Sequence, residues 1–207
     1  MGSNGSNSGS ADGYLRPTVQ EQAKLMITGP FGVGKTTMVG TLSEYAPVRT
    51  EEPMTRDSIG VDSLEGLPEK TTTTVALDFG RCTLSDELVL FLFGTPGQER
   101  FLHLWEDLAR GAVGALVLVD IRYPSRLQEA FEVMGLLDER DLPYAVAINI
   151  FDDTPTYPEH QLRSKFDLLP QTPLVWLDAR DYTASLDALI AVVQYALKLA
   201  NDHKELA

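Results

Sequence analysis

The stretch "GPFGVGKTT", residues 29–37, decides the fold of this chain. It fits the spacing G-x-x-x-x-G-K-[ST] through Gly29, Gly34, Lys35 and Thr36. It follows the apolar run "AKLMIT" and opens a segment with helical character. Glycines let the backbone curl so that successive N–H groups point at phosphate oxygens, and the helix N-terminus adds partial positive charge. The stretch therefore predicts a strand, a phosphate-binding loop and a helix, in that order.

The side chains of the loop have predicted roles in holding a nucleoside triphosphate. Lys35, expected on the surface of the loop, can reach the β- and γ-phosphates, and the Thr36 hydroxyl can ligate Mg²⁺. The other residues predicted to line the nucleotide here are Gly32, Val33 and Thr37. The loop by itself predicts a triphosphate but does not say which base is bound.

Composition narrows the classes of partner. The chain has 207 residues, a formal net charge of -13 and one cysteine. The acidic charge argues against nucleic acid or an anionic membrane surface as the main partner, so an anion must be bound by a local device such as the loop. A single cysteine excludes an internal disulfide and fits a cytoplasmic protein. No apolar run reaches the ~18 residues of a membrane span, so none is predicted.

Alternating strands and helices follow a polar beginning. Residues 1–20 are rich in Gly, Ser and Asn and are predicted to be a disordered tail, and 21–207 to be a single domain. Strands are predicted at 23–28, 74–84, 87–94, 114–119, 143–149 and 173–178, helices at 34–45, 99–109, 125–140, after 158 and at 181–200, and a long loop at 47–73. This alternation predicts an α/β fold: a P-loop domain with a mainly parallel six-stranded sheet and helices on both faces. Ligands of such sheets bind at the carboxyl ends of the strands.

A second motif, "LFLFGTPGQERF", follows an apolar strand. Its Gly97 can offer a backbone N–H to a γ-phosphate, and its Gln98 can orient an attacking water. The segment resembles switch II of the Ras-like small GTPases. Through this resemblance Gln98 and Lys35 are the predicted catalytic residues.

Three further stretches resemble motifs of the same family. "TTTTVALDFG" is similar to switch I, which implies Thr74 as a second Mg²⁺ ligand, with Thr73 as the alternative. "NIFD" is similar to the guanine-binding N-K-x-D and implies roles for Asn149 and for Asp152, whose carboxylate would accept from the base N1–H and N2–H₂. "DARD" is similar to the S-A-K loop, which implies that the Ala179 N–H faces the guanine O6.

Within that family the chain most resembles the actinobacterial conservon GTPases, relatives of the MglA-type polarity switches. The stretches that carry the resemblance are "GPFGVGKTT", "TTTTVALDFGR", "LFLFGTPGQERF" and "VLVDIRYP". It implies GTP and GDP with Mg²⁺ as ligands and a Roadblock-family protein as the regulatory partner. It also implies a cytoplasmic switch that reaches the membrane through a complex with a sensor-kinase-like protein.

Three positions depart from that pattern. Gly94 stands where switch II has an aspartate that holds Mg²⁺ through water, and Ile150 replaces the lysine of N-K-x-D. Phe31 occupies a position that is commonly glycine, and it is predicted either to crowd Gln98 or to turn outward onto the switch loops. Two functions follow: a GTP-hydrolysing switch, or a nucleotide-binding scaffold with little or no hydrolysis. A small-molecule kinase would need an arginine-rich lid, and no segment of the sequence is rich in lysine and arginine.

Overall fold

The computed structural model describes residues 15, 17–48, 51–53, 72–74, 77–96 and 107–205, with only the backbone for 51–53, 72–74 and 205. Within these ranges the chain forms eight strands and four α-helices. The strands are β1 Glu21–Thr28, β2 Glu51–Pro53, β3 Thr72–Thr74, β4 Asp78–Thr83, β5 Leu88–Gly94, β6 Ala112–Val119, β7 Tyr144–Asn149 and β8 Leu174–Leu177. The helices are α1 Lys35–Leu42, α2 Leu127–Asp138, preceded by the 3₁₀ turn Pro124–Arg126, α3 Glu159–Lys165 and α4 Tyr182–Glu205.

Six of these strands form one sheet in the order β4-β5-β1-β6-β7-β8. β1 lies between β5 and β6 and is parallel to both, and β7 and β8 extend the parallel part. β4 pairs antiparallel with β5 at one edge. The α/β fold with a mainly parallel six-stranded sheet is therefore confirmed, and it is compatible with a P-loop domain.

Helices cover both faces of the sheet because successive side chains of a strand point to opposite faces. Leu25 and Ile27 of β1 belong to a buried cluster with residues of α1 and α4. Met26, between them, belongs to a second cluster with residues of α2 and α3. The predicted phosphate-binding loop thus follows a strand that is packed on both sides.

The sequence predicted a long loop at 47–73, but this stretch is not entirely a loop. Residues 51–53 pair antiparallel with 72–74, so both ends of the stretch join in a small two-stranded sheet. The threonine run has the β-propensity for this pairing. Of the helix predicted at 99–109, residues 107–109 are described and are helical. Of the predicted tail, residues 1–14 and 16 lie outside the described residues, and the division into tail and single domain stays a prediction.

Helix α4 is long and apolar enough, by length and composition alone, to cross a membrane. Ala188, Leu189 and Val192 on this helix are buried in the cluster that it shares with α1 and the sheet. Packing on the sheet accounts for part of its apolar composition, since 28% of the apolar stretch is buried.

Candidate functional site

The loop after β1 adopts a conformation that requires glycine. Gly29, Gly32 and Gly34 have φ of 129°, 77° and 108°, in the left-handed region that other residues rarely adopt. A Cβ on Gly29 would lie 2.1 Å from the main-chain oxygen of Leu118. The loop can therefore follow this path only with glycine at its start, and it leads directly into the N-terminus of α1.

Lys35 folds back across this loop. Its Nζ donates to the main-chain oxygens of Gly29 and Pro30, each at 2.7 Å, and the residue is only 8% exposed. The expectation of a surface lysine is therefore wrong, because these two carbonyls hold the ammonium group within the loop. The ammonium is positioned beside the N-terminus of α1, where an anion is favoured.

Thr36, the first threonine of α1, contacts an acid on the edge strand. Its Oγ1 donates a 2.5 Å hydrogen bond to Oδ2 of Asp78, which is 2% exposed at the start of β4. The sequence showed Asp78 only as part of the switch I pattern and assigned it no role. Thr37, beside Thr36, is exposed to solvent.

Asn149 ties the predicted base loop to the phosphate-binding loop. Its Nδ2 donates to the main-chain oxygen of Val33 and its Oδ1 accepts from the Ala179 N–H, both at 2.9 Å. Asn149 is 3% exposed. The Thr41 hydroxyl of α1 in turn donates to the Ala179 carbonyl at 2.8 Å. Asn149, at the end of β7, thus joins the loops after β1 and β8 through two buried hydrogen bonds, and the half-buried bond of Thr41 joins the loop after β8 to α1.

The Ala179 N–H, predicted to face a guanine O6, is directed at Asn149 in this structure. The next N–H along the chain, that of Arg180, donates to Oδ1 of Asp178 at 2.8 Å. A contact between Ala179 and a base would have to share or replace the bond to Asn149. The predicted base contact therefore stays a prediction, whereas the part of Ala179 in joining the three loops is visible.

Asp152, in the loop after β7, is exposed to solvent, and Arg122 contacts the residues on either side of it in the chain. Ile150 is 40% exposed and Asp152 is exposed. The Arg122 guanidinium lies 3.8 Å from the centre of the Phe151 ring, and its Nη1 donates to Asp153 at 2.6 Å. The hydrogen bond from Arg122 lowers the pKa of Asp153. The loop is thereby fixed while Asp152 remains accessible.

Arg122 is in turn held by the buried Asp120, at the carboxyl end of β6. Both of its carboxylate oxygens accept from the Arg122 guanidinium, at 3.0 and 2.8 Å. These bonds raise the pKa of Arg122, so the guanidinium keeps its charge throughout the ordinary pH range. The stretch "VLVDIRYP", which supported the family resemblance, contains Arg122, but the sequence predicted no role for this residue, and its second partner, Asp153, comes from another loop.

Several predicted site residues cannot be placed. Gly97 and Gln98 lie outside the described residues, and the side chain of Thr74 does too, although its backbone pairs with Glu51. Their roles stay predictions. Phe31 is described: its side chain is 6% exposed and belongs to neither core cluster described above.

The residues present fit a magnesium ion that is held partly by a nucleotide. Across the part of the chain with described side chains, no group of three or more His, Cys, Asp or Glu could hold a metal by itself. The Thr36 hydroxyl and the Asp78 carboxylate are hard oxygen donors beside the phosphate-binding loop. Mg²⁺ keeps several waters and is usually bound by one or two protein oxygens together with phosphates, as this donor set allows.

Comparison with known proteins gives two similarities. The chain matches the family described as "Conserved hypothetical ATP binding protein" over residues 27–199. It is also 32% identical over 133 residues to an uncharacterized protein of Methanocaldococcus jannaschii, which covers 64% of this chain and 73% of that protein. The family match spans the predicted phosphate-binding loop, the loop after β7 and most of α4.

These similarities contradict the predicted assignment to the actinobacterial conservon GTPases. The short motifs that suggested it are mainly those that phosphate-binding and base-binding loops require, and they do not distinguish one family of nucleotide-binding proteins from another. The Roadblock-family and sensor-kinase-like partners were implied only by that resemblance. They stay predictions without support from these matches.

Proposed function

Since the chain belongs to the family of conserved hypothetical ATP-binding proteins and so to the nucleotide-binding proteins, we propose that its own nucleotide is GTP, which it hydrolyses to GDP and phosphate. The observation that carries the proposal is the double hydrogen bond of Asn149. It joins the phosphate-binding loop to the loop that bears Asp152. One nucleotide can therefore contact both loops at a fixed separation.

The phosphate half of the proposal is supported by the loop after β1. Its glycines hold the backbone in a curled path, and Lys35 is already positioned by the Gly29 and Pro30 carbonyls. Fixed N–H groups and a fixed ammonium favour a polyanion without reorganisation on binding. This explains how a chain of net charge -13 could attract a triphosphate.

The base half is supported by the chemistry of Asp152. An ionised carboxylate only accepts hydrogen bonds. Guanine offers two donors on one edge, N1–H and N2–H₂, whereas the N1 of adenine is itself an acceptor and would be repelled. Because Asp152 is exposed on a loop held by Asn149 and Arg122, it supports guanine over the adenine that the family's description implies.

Hydrolysis is the finer part of the proposal. In this proposal Gln98 orients the attacking water and Lys35 stabilises charge on the transferred phosphoryl group, as in other P-loop enzymes. Mg²⁺ would supply further charge neutralisation at the phosphates, held on the protein side by Thr36 and, if it reaches the site, by Thr74. We also propose that a partner protein regulates this hydrolysis.

The second candidate is a nucleotide-binding scaffold that hydrolyses little. The observation in its favour is Phe31, whose bulky side chain is buried within the phosphate-binding loop. A ring in this place is predicted to restrict the attacking water. The two candidates agree on binding and differ in turnover.

The experiment measures binding and turnover on the purified full chain. We expect GDP or GTP to remain bound after purification and GTP to displace a fluorescent GDP analogue at least 100-fold better than ATP. Single-turnover GTP hydrolysis should proceed to completion with Mg²⁺ present. Equal competition by ATP would disprove the guanine half. Tight GTP binding without phosphate release would favour the scaffold.

A further inference from the structure

Asp78 and Gly94 share one space at the edge of the phosphate site. They are directly opposed in the antiparallel pairing of β4 with β5. A Cβ on Gly94 would lie 2.9 Å from the Cβ of Asp78 and 3.2 Å from its Oδ2. Only one of these two positions can therefore carry a side chain, and in this protein it is residue 78.

The carboxylate in that space is turned toward the phosphate-binding loop. Oδ2 of Asp78 accepts the hydrogen of the Thr36 hydroxyl at 2.5 Å. Because the hydroxyl hydrogen points at Asp78 in this bond, Thr36 Oγ1 would contact a cation through its oxygen lone pairs. The bond to an anion also makes that oxygen a better ligand for a cation.

The other acid beside the loop, Asp120, is paired with an arginine. P-loop NTPases hold Mg²⁺ with the hydroxyl of the loop and an acid from a neighbouring strand. β5, one neighbour of β1, ends at Gly94, and β6, the other neighbour, is followed by Asp120. Arg122 occupies both oxygens of Asp120 and balances its charge. Among the described residues Asp78 is thus the acid that contacts the loop hydroxyl.

We propose that Asp78, on the antiparallel edge strand, is the positioning acid of the magnesium site, in place of an acid at the end of β5. It orients the Thr36 hydroxyl toward the ion and adds the negative charge that the glycine at position 94 cannot supply. This inference rests on the proposed nucleotide-dependent function. It assigns to the β4 strand a role that the motifs of the sequence give to β5.

The experiment titrates Mn²⁺, an EPR-visible substitute for Mg²⁺, into the GDP-loaded full chain. Loss of a partner that orients a metal ligand typically weakens metal binding about 10- to 100-fold. We expect Asp78→Asn to weaken Mn²⁺ binding by that factor, since the amide can still accept from Thr36 but the charge is lost. Asp78→Ala should weaken it further. The affinity for GDP in excess EDTA should change by less than about threefold, which separates an effect on the ion from one on the loop.

Two further variants control the result. Asp86→Asn removes the same charge at an exposed position in the turn between β4 and β5 and should leave Mn²⁺ binding unchanged. The exchange of Asp78→Gly together with Gly94→Asp moves the carboxylate across the strand pair within the same space. It should recover at least part of the lost Mn²⁺ affinity, which a purely structural role of Asp78 would not produce.

The outcomes separate this inference from the proposed function. A parent protein that binds no GDP or GTP would refute the proposed function itself. A parent that binds GDP, together with an Asp78→Asn variant whose Mn²⁺ affinity stays within twofold, would overturn the role of Asp78 alone. Should Asp78→Asn fail to fold, the exchange variant decides: Mn²⁺ affinity within about tenfold of the parent supports the proposal, and a greater loss overturns it.

Discussion

The side-chain amide of Asn149 donates a 2.9 Å hydrogen bond to the main-chain oxygen of Val33, 116 residues earlier in the chain. The same side chain accepts from the N–H of Ala179. Both bonds are buried, so removal of the side chain leaves a buried carbonyl and a buried N–H without this partner. Within the frame that the sheet provides, this one side chain links the predicted phosphate-binding loop to the predicted base loop.

Replacing Asn149 with alanine should destabilise the protein and weaken nucleotide binding together. Two buried main-chain groups lose their partner, and each unsatisfied group costs about 1–3 kcal/mol. We expect a loss of about 2–4 kcal/mol in the free energy of unfolding, measured by urea denaturation. Asn201→Ala, on the exposed side of α4, is the matched control and should change stability by less than about 0.5 kcal/mol. Equal stability of the two variants would contradict the joining role.

Replacing Lys35 tests the phosphate-binding loop. Hydrogen bonds to charged groups contribute about 1.5–3 kcal/mol each, so Lys35→Met should weaken GDP and GTP binding by roughly 100-fold or more. Since the Gly29 and Pro30 carbonyls also lose a donor, a modest loss of stability should accompany it. Isothermal titration and thermal unfolding measure the two effects. Lys165→Met, at an exposed position of α3, controls for the loss of charge, and unchanged affinity in the Lys35 variant would exclude phosphate contact.

The proposed contact between Asp152 and the base can be tested by replacing the carboxylate with an amide. Asp152→Asn places an amide N–H₂ where xanthine has its C2 oxygen, so preference should move from GTP to xanthosine triphosphate. We expect GTP to bind at least tenfold more weakly, measured by competition against a fluorescent nucleotide. The neighbouring Asp153→Asn removes the charge of one of the two carboxylates that Arg122 contacts but should not change the choice of base. A variant of Asp152 with unaltered preference would show that another group recognises the base.

Phe31 separates the two candidate functions. If its buried ring restricts Gln98 and the attacking water, Phe31→Gly should raise the single-turnover rate of GTP hydrolysis, about tenfold for each 1.4 kcal/mol removed from the barrier. Gln98→Leu should lower the rate below that of the parent. GDP release is measured in the same samples. Faster release with unchanged hydrolysis would indicate that Phe31 retains the nucleotide instead.

The raised pKa of Tyr144 predicts that the protein loses stability in alkaline solution. Burial raises the pKa of its phenol to about 12, with Asp138 adding to the effect. Because the folded pKa lies above the unfolded value of about 10, this contribution is fully present below pH 10 and is lost as the pH rises to about 12. The free energy of unfolding should fall over that range and less so in Tyr144→Phe. The exposed Tyr157, replaced by phenylalanine in the same way, provides the comparison.

The loop after β1, the alternation of strands and helices and the class of fold followed from the sequence, because each depends on residues that are close together in the chain. Three glycines, a lysine and a threonine between an apolar strand and a helix are sufficient to predict a phosphate site. The family was predicted wrongly for the same reason. Short local motifs meet a physical requirement that many families share.

Tertiary structure decided how the site is held together. Asn149 meets Val33 and Ala179 only because β1, β7 and β8 end at the same edge of the sheet. Asp78 meets Thr36 only because the register of β4 on β5 places it opposite a glycine at position 94. A shift of that register by one residue would turn the carboxylate to the other face of the sheet. Strand order and register arise from packing across the whole core, and no local pattern of residues contains them.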